Sequence, residues 1–79
     1  MKYEVRVQLK SNVLNVEAKE ILSSIKSQGF NSVTSLSTAK LFVIEVLNDN
    51  SPDSVAEEIA KNILTNEVIE KFSIQKINE

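Results

Sequence analysis

The chain has 79 residues, 42% of them hydrophobic and 25% charged, which is the composition of one globular domain. It contains neither cysteine nor histidine, which excludes disulfides, thiolate metal sites and imidazole acid–base chemistry. A formal net charge of −2 and no apolar run near membrane-spanning length leave nucleic acid and membrane off the list of expected partners.

Tyr3, Val5, Val7 and Leu9 alternate with Lys2, Glu4, Arg6 and Gln8, a period of two that predicts a first strand with one face buried. The same alternation resembles neither a signal peptide nor an Arg-rich transit helix, so a cytoplasmic location is expected. Asn15 is placed to cap a helix in which Ala18, Ile21, Leu22 and Ile25 form one apolar stripe. Gly29 is expected just past its end, with Phe30 folding back onto the last turn.

From Ser32 to Leu47 β-branched and aromatic residues return, and Thr38, Ala39 and Lys40 are the most polar point between Leu36 and Phe42. This predicts a hairpin joining a second and a third strand. Ser51 and Pro52 supply the N-cap and first residue of a second helix, striped by Ala56, Ile59, Ala60 and Ile63, with Glu57 spaced to pair with Lys61. Val68, Phe72 and Ile74, alternating with Lys71, Ser73 and Gln75, predict the last strand.

The order is βαββαβ, a twofold pseudo-repeat without a linker, so residues 1–79 are expected to form a single domain. The expected class is α+β and ferredoxin-like: a four-stranded antiparallel sheet with two helices on one face. The other face is then bare. On the third strand Phe42, Ile44 and Val46 point one way, while Leu41, Val43, Glu45 and Leu47 point the other. With the first and third strands as the central pair, the second set forms an exposed, mostly apolar row beside Arg6 and Gln8. These residues, with Lys40 at the hairpin tip, are the candidate subunit interface. The competing reading is that a twisted sheet tolerates a few exposed aliphatics, or that this strand runs out of register.

Little else suggests chemistry. A phosphate-cradling loop needs several close backbone approaches, and Gly29 is the only glycine. Glu57 and Glu58 lie about 100° apart on a helix, and Asp49 and Asp53 straddle a turn and a helix start, which suits solvation and dipole complementarity. Glu45 is positioned for an ion pair with Arg6 or Lys2. Tyr3 shares the parity of Val5 and Val7 and reads as a core-edge aromatic with a wet hydroxyl. Lys40 is open to two readings, a contact for an acidic partner or anionic ligand, or a solvated turn residue. An RNA-recognition sheet would carry stacking aromatics where this one carries aliphatics. An acylphosphatase-like site would need an arginine and an asparagine around a phosphate loop, and no such loop is evident. No catalytic, cofactor-binding or metal-binding residue is expected.

Several segments together resemble the PurS family, the small subunit of phosphoribosylformylglycinamidine synthase. They are Val5 to Lys10, Val13-Leu14-Asn15, Gly29-Phe30, Lys40 leading into Phe42 to Val46, and the most specific stretch, Ile63 to Phe72. In that last stretch Asn66, Val68, Ile69, Glu70 and Phe72 match the family's pattern, and the resemblance covers essentially the whole chain. Departures are Asn15-Val16 where the family usually has aspartate-proline, Ala18 for glycine, Ser37-Thr38-Ala39 where arginine and glycine are common, and Glu67 for proline.

The resemblance implies a noncatalytic structural subunit of a glutamine-dependent carbon–nitrogen ligase in purine biosynthesis, inactive as an isolated chain. Its partners would be a glutaminase subunit and a large synthetase subunit, with ATP and Mg used by the latter and no cofactor in this chain. The family is dimeric, which implies a homodimer or higher homo-oligomer that bridges the two catalytic subunits and supports ammonia transfer. The alternative is a sensing domain of similar topology that binds an amino acid at a dimer interface.

Overall fold

The computed structural model describes residues 1–47 and 51–77; Asp49 lies outside the described residues. The elements run β1 (Lys2–Leu9), α1 (Val16–Ser27), β2 (Lys40–Glu45), α2 (Pro52–Ile59), a π-helical turn (Ala60–Leu64) and β3 (Glu70–Ile77). They form an α+β fold around a three-stranded antiparallel sheet of order β2-β1-β3. The alternation in β1 does what its period requires: Tyr3, Val5 and Val7 are buried. The register sets Val5 between Phe42 and Ile74, and Val7 between Lys40 and Phe72. Ala60 joins Val5 and Val7 at the centre of the core, with Phe42, Ile44, Leu64 and Phe72 packed around it.

The expected fourth strand is not formed among the described residues. Residues 31–39, which were to supply the second strand and the turn, belong to no ladder. A tight hairpin turn requires positive φ, which glycine or asparagine supplies. The single glycine, Gly29, is used at the end of α1 with φ 95°, and Ser37-Thr38-Ala39 offers no substitute. Two corrections follow: β1 alone is central, and β2 is an edge strand whose outer side pairs with no strand among the described residues.

The helix α1 is built as its termini dictate. The Ala18 amide donates to Asn15 Oδ1 at 3.0 Å, closing the N-cap. At the other end Gly29 N donates to Lys26 O at 3.0 Å and Phe30 N to Ile25 O at 3.3 Å, the paired bonds of a Schellman ending. Yet Ala18 is the one buried residue of α1, Ile21 is exposed, and Phe30 is 59% exposed rather than folded back. The close packing lies within the sheet and around α2, its π turn and β3; α1 packs closely on no strand. The expectation that two helices cover one sheet face is thus not met: α1 does not cover it, and the cover comes from the α2 side, where Ala56 and Ala60 are fully buried and Ala60 of the π turn joins the sheet core.

In α2, Pro52 occupies the first turn and Ser51 caps it in the left-handed region at φ 53°, without a side-chain capping bond. Ala56 and Ala60 are buried as the stripe requires. The π turn then adds backbone to the next revolution. It swings Ile63 out to 75% exposure and brings Leu64 and Thr65 inward, so the predicted stripe ends at Ala60. Val68, expected in the last strand, sits in the turn before β3 and is 81% exposed. The molecule is elongated, 52 × 31 × 13 Å with a radius of gyration of 16.2 Å. A compact chain of this length would have about 12 Å.

Candidate functional site

Away from α2, the sheet presents three rows. The register aligns Lys2, Glu4 and Arg6 of β1 with Glu45, Val43 and Leu41 of β2 and with Ile77, Gln75 and Ser73 of β3, and Gln8 with Lys71. The centre is polar and so is the β3 side apart from Ile77 at its end, so the apolar row is narrower than the sequence suggests and lies on the edge strand. Leu41 is 54% and Val43 58% exposed, and Leu47, just beyond β2, is 82% exposed. Glu45 lies opposite Lys2 rather than Arg6, which settles the cross-strand choice left open by the pattern. Arg6 is exposed between Leu41 and Ser73.

Lys40 is not with them. The hairpin expected around it does not form: Lys40 opens β2 opposite Val7, on the other face, where its Nζ lies 4.0 Å from Glu70 Oε2. That carboxylate belongs to the chain itself, so the acid that meets Lys40 in this structure is Glu70. The pair borders a cleft of about 320 Å³ whose walls include Val7, Leu9, Asn15 and Thr38. Asn15 Nδ2 donates to Thr38 Oγ1 at 2.8 Å across its mouth. Glu70 is also tied from behind, its Oε1 accepting from Asn66 N at 2.8 Å.

Two polar features escaped the sequence reading. The Tyr3 hydroxyl is not wet: it donates to Asp53 Oδ1, which also lies 4.0 Å from Lys76 Nζ. The hydrogen bond, reinforced by desolvation and by the Asp53 charge, pushes the phenol up to about 12. That direction is wrong for a base or nucleophile at neutral pH, so the contact fastens β1 to the start of α2. The second feature is Thr65, buried with its Oγ1 lacking a hydrogen-bond partner. Neither has a sequence signal, because both depend on what a distant element brings near. Among the described residues no cluster of carboxylates could hold a metal ion, and no helix is long and apolar enough to cross a membrane. What this arrangement offers is surface: an exposed aliphatic row running along an open sheet edge.

Comparison with known proteins is consistent across sequence and structure. The model of the PurS family, described as phosphoribosylformylglycinamidine (FGAM) synthase, matches residues 2–78. The PurS subunit of that synthase from Methanocaldococcus jannaschii is 33% identical over 76 residues, covering 94% of this chain and 92% of the relative. Its counterpart from Archaeoglobus fulgidus is 32% identical over 73 residues, covering 90% and 91%. The crystal structure of M. jannaschii PurS, one of the subunits of formylglycinamide ribonucleotide amidotransferase, superposes with a TM-score of 0.84 at 32% identity, covering 98% of each chain. A chain in the structure of PurLQS from Thermotoga maritima shares the fold, with a TM-score of 0.75 at 19% identity over 96% of this chain and 95% of that one. With a family model spanning nearly every residue and two relatives above 30% identity, the chain belongs to the PurS family of phosphoribosylformylglycinamidine synthase subunits.

Proposed function

We propose that this chain is a noncatalytic subunit of the cytoplasmic FGAM synthase complex, a glutamine-dependent ligase of purine biosynthesis. There it bridges the glutaminase and the large synthetase, which uses ATP and Mg. The similar T. maritima chain belongs to a PurLQS structure, which supports the partners, and the curated relatives carry the name of the same synthase. The observation that carries the reading is the edge row of Leu41 and Val43, more than half exposed beside a sheet edge that pairs with no strand among the described residues. Exposed apolar residues beside an unpaired edge suit assembly. The interface takes in Leu41, Val43, Glu45, Leu47, Arg6 and Gln8 on one side, with Lys40 reaching it only from the opposite face. Holding the two active sites in line keeps ammonia from escaping into water, a positioning role that involves no bond chemistry by this chain.

The test is reconstitution: the purified chain mixed with the synthetase and glutaminase subunits, glutamine and nucleotide should elute as a ternary complex and restore glutamine-dependent amination. The chain alone should turn nothing over. A chain that elutes apart from both subunits, or that shows a large thermal shift with one free amino acid, would sink the reading.

A further inference from the structure

The sheet has a second open edge, along β3, whose outer side pairs with no strand among the described residues. What that edge presents follows from one bond. Lys10 N donates to Ile69 O at 2.9 Å, and these two residues continue the register of β1 with β3. Antiparallel pairs alternate between bonded and non-bonded, so Lys71, Ser73 and Gln75 turn their amides and carbonyls toward β1, while Phe72, Ile74 and Lys76 turn theirs outward. Edges are commonly blunted by proline or by charge. Here the middle of the edge is Phe72, Ser73 and Ile74, and the lysines, Lys71 and Lys76, stand toward its ends. Phe72 is half-buried and Ile74 is 37% exposed, both on the core side of the sheet.

This edge is complementary to itself in one register. Residues opposed across antiparallel strands share a face, so a second copy related by a twofold axis sets residues of equal parity against each other. With the axis beside Ser73, Phe72 meets Ile74, Glu70 meets Lys76 and Lys71 meets Gln75, and each contact occurs twice. Apolar faces apolar and acid faces base. Moving the axis to Ile74 sets Phe72 against Lys76, and moving it to Phe72 sets Glu70 against Ile74. Lys76 is 45% exposed and 4.0 Å from Asp53, a loose surface pairing that leaves its charge available across the axis.

We propose that two copies join β3 to β3 antiparallel about an axis beside Ser73, making one continuous sheet. Phe72 and Ile74 of each copy exchange backbone hydrogen bonds with Ile74 and Phe72 of the other. Lys76 N donates to Glu70 O of the second copy, and the ladder stops there because Glu70 N is already bonded to Asn66 O at 2.7 Å. The joint is separate from the Leu41 and Val43 row on the opposite edge of the sheet. It goes beyond the role proposed above, and it needs neither the synthetase nor the glutaminase.

The absence of cysteine makes the register directly testable. Residues opposed in a non-bonded antiparallel pair have Cα atoms about 4.5 Å apart, within disulfide reach. The single variant Ser73→Cys, oxidised and run on a non-reducing gel, is expected to give a covalent dimer at twice 8.8 kDa. Gln75→Cys, which lies opposite Lys71 rather than its own copy, is expected to stay at monomer mass. In the unmodified protein the outward amides of Phe72, Ile74 and Lys76 should be protected from hydrogen exchange as the amides of the β1 ladder are. An uncrosslinked Ser73→Cys, an equal yield from Gln75→Cys, or freely exchanging amides at these three residues overturns the joint. None of these results bears on whether the chain enters a ternary complex, which the reconstitution tests separately.

Discussion

Asn66 and Glu70 bind each other twice: the Glu70 amide donates to Asn66 O at 2.7 Å, and the Asn66 amide donates to Glu70 Oε1 at 2.8 Å. Asn66 Oδ1 further accepts from Val68 N at 3.1 Å, and Ile69 O accepts from Lys10 N at 2.9 Å. The stretch that most resembles the family is therefore a self-bonded turn that delivers β3 to β1.

Replacing Glu70 should unmake this turn, whereas replacing its cationic neighbour should not. Glu70→Ala removes the acceptor of a backbone amide and is expected to cost about 1–2 kcal/mol. Lys40 is 70% exposed at 4.0 Å from the carboxylate, and Lys40→Ala should cost under about 0.5 kcal/mol. Urea midpoints at constant m separate the two; equal losses would show that the ion pair, not the turn, holds the site.

Thr65→Val is expected to be neutral or to stabilise by up to about 1 kcal/mol. The hydroxyl is buried without a partner, so its removal recovers desolvation at nearly constant shape. A clear destabilisation would reveal a hydrogen bond that the structure does not contain.

Ser51 holds a left-handed conformation at φ 53° without using its side chain as a cap. That conformation costs an L-residue about 1–2 kcal/mol, and a glycine cap forfeits only a few tenths. Ser51→Gly should therefore raise the melting temperature by several degrees. No change would mean that the residue relaxes elsewhere in solution.

The Tyr3 contact sets an alkaline limit. Its phenol is raised from 10.0 to about 12 by the Asp53 hydrogen bond, so the folded state favours the protonated form. The associated stability is fully present below pH 10 and is lost as pH rises from 10 through about 12. Tyr3→Phe should be less stable than the unmodified chain by a constant margin from pH 6 to about 9, with the difference shrinking above pH 10. A margin that varies with pH near neutrality would contradict this assignment.

Period and termini were legible in the sequence; long-range closure was not. The alternation in β1, the Asn15 cap and the Gly29 backbone ending each depend on neighbours within a few residues and formed as read, although Phe30 does not fold back onto the helix. Whether residues 31–39 fold back on β2 depends on a near balance between a turn without glycine and the pairing it would allow, and no periodicity reports that balance. The π turn is similar: Ile63 fits a 3.6-residue stripe, yet the chain widens the revolution to seat Leu64 and Thr65. At the candidate surface, the exposed Leu41 and Val43 were legible from parity alone. Their place on the edge, and Lys40 facing Glu70, required the true strand order.

Pairing Lys2 with Ile77 and Leu9 with Glu70 makes the middle strand the first of the three in chain order, while one of its flanks is the last of the three. The entropy of closing so long a loop falls on the folding barrier, and cooperative folding must await β3. During translation Val5 and Val7 thus stay without Phe72 and Ile74 until the third strand has been made, leaving part of their apolar surface uncovered in the interval.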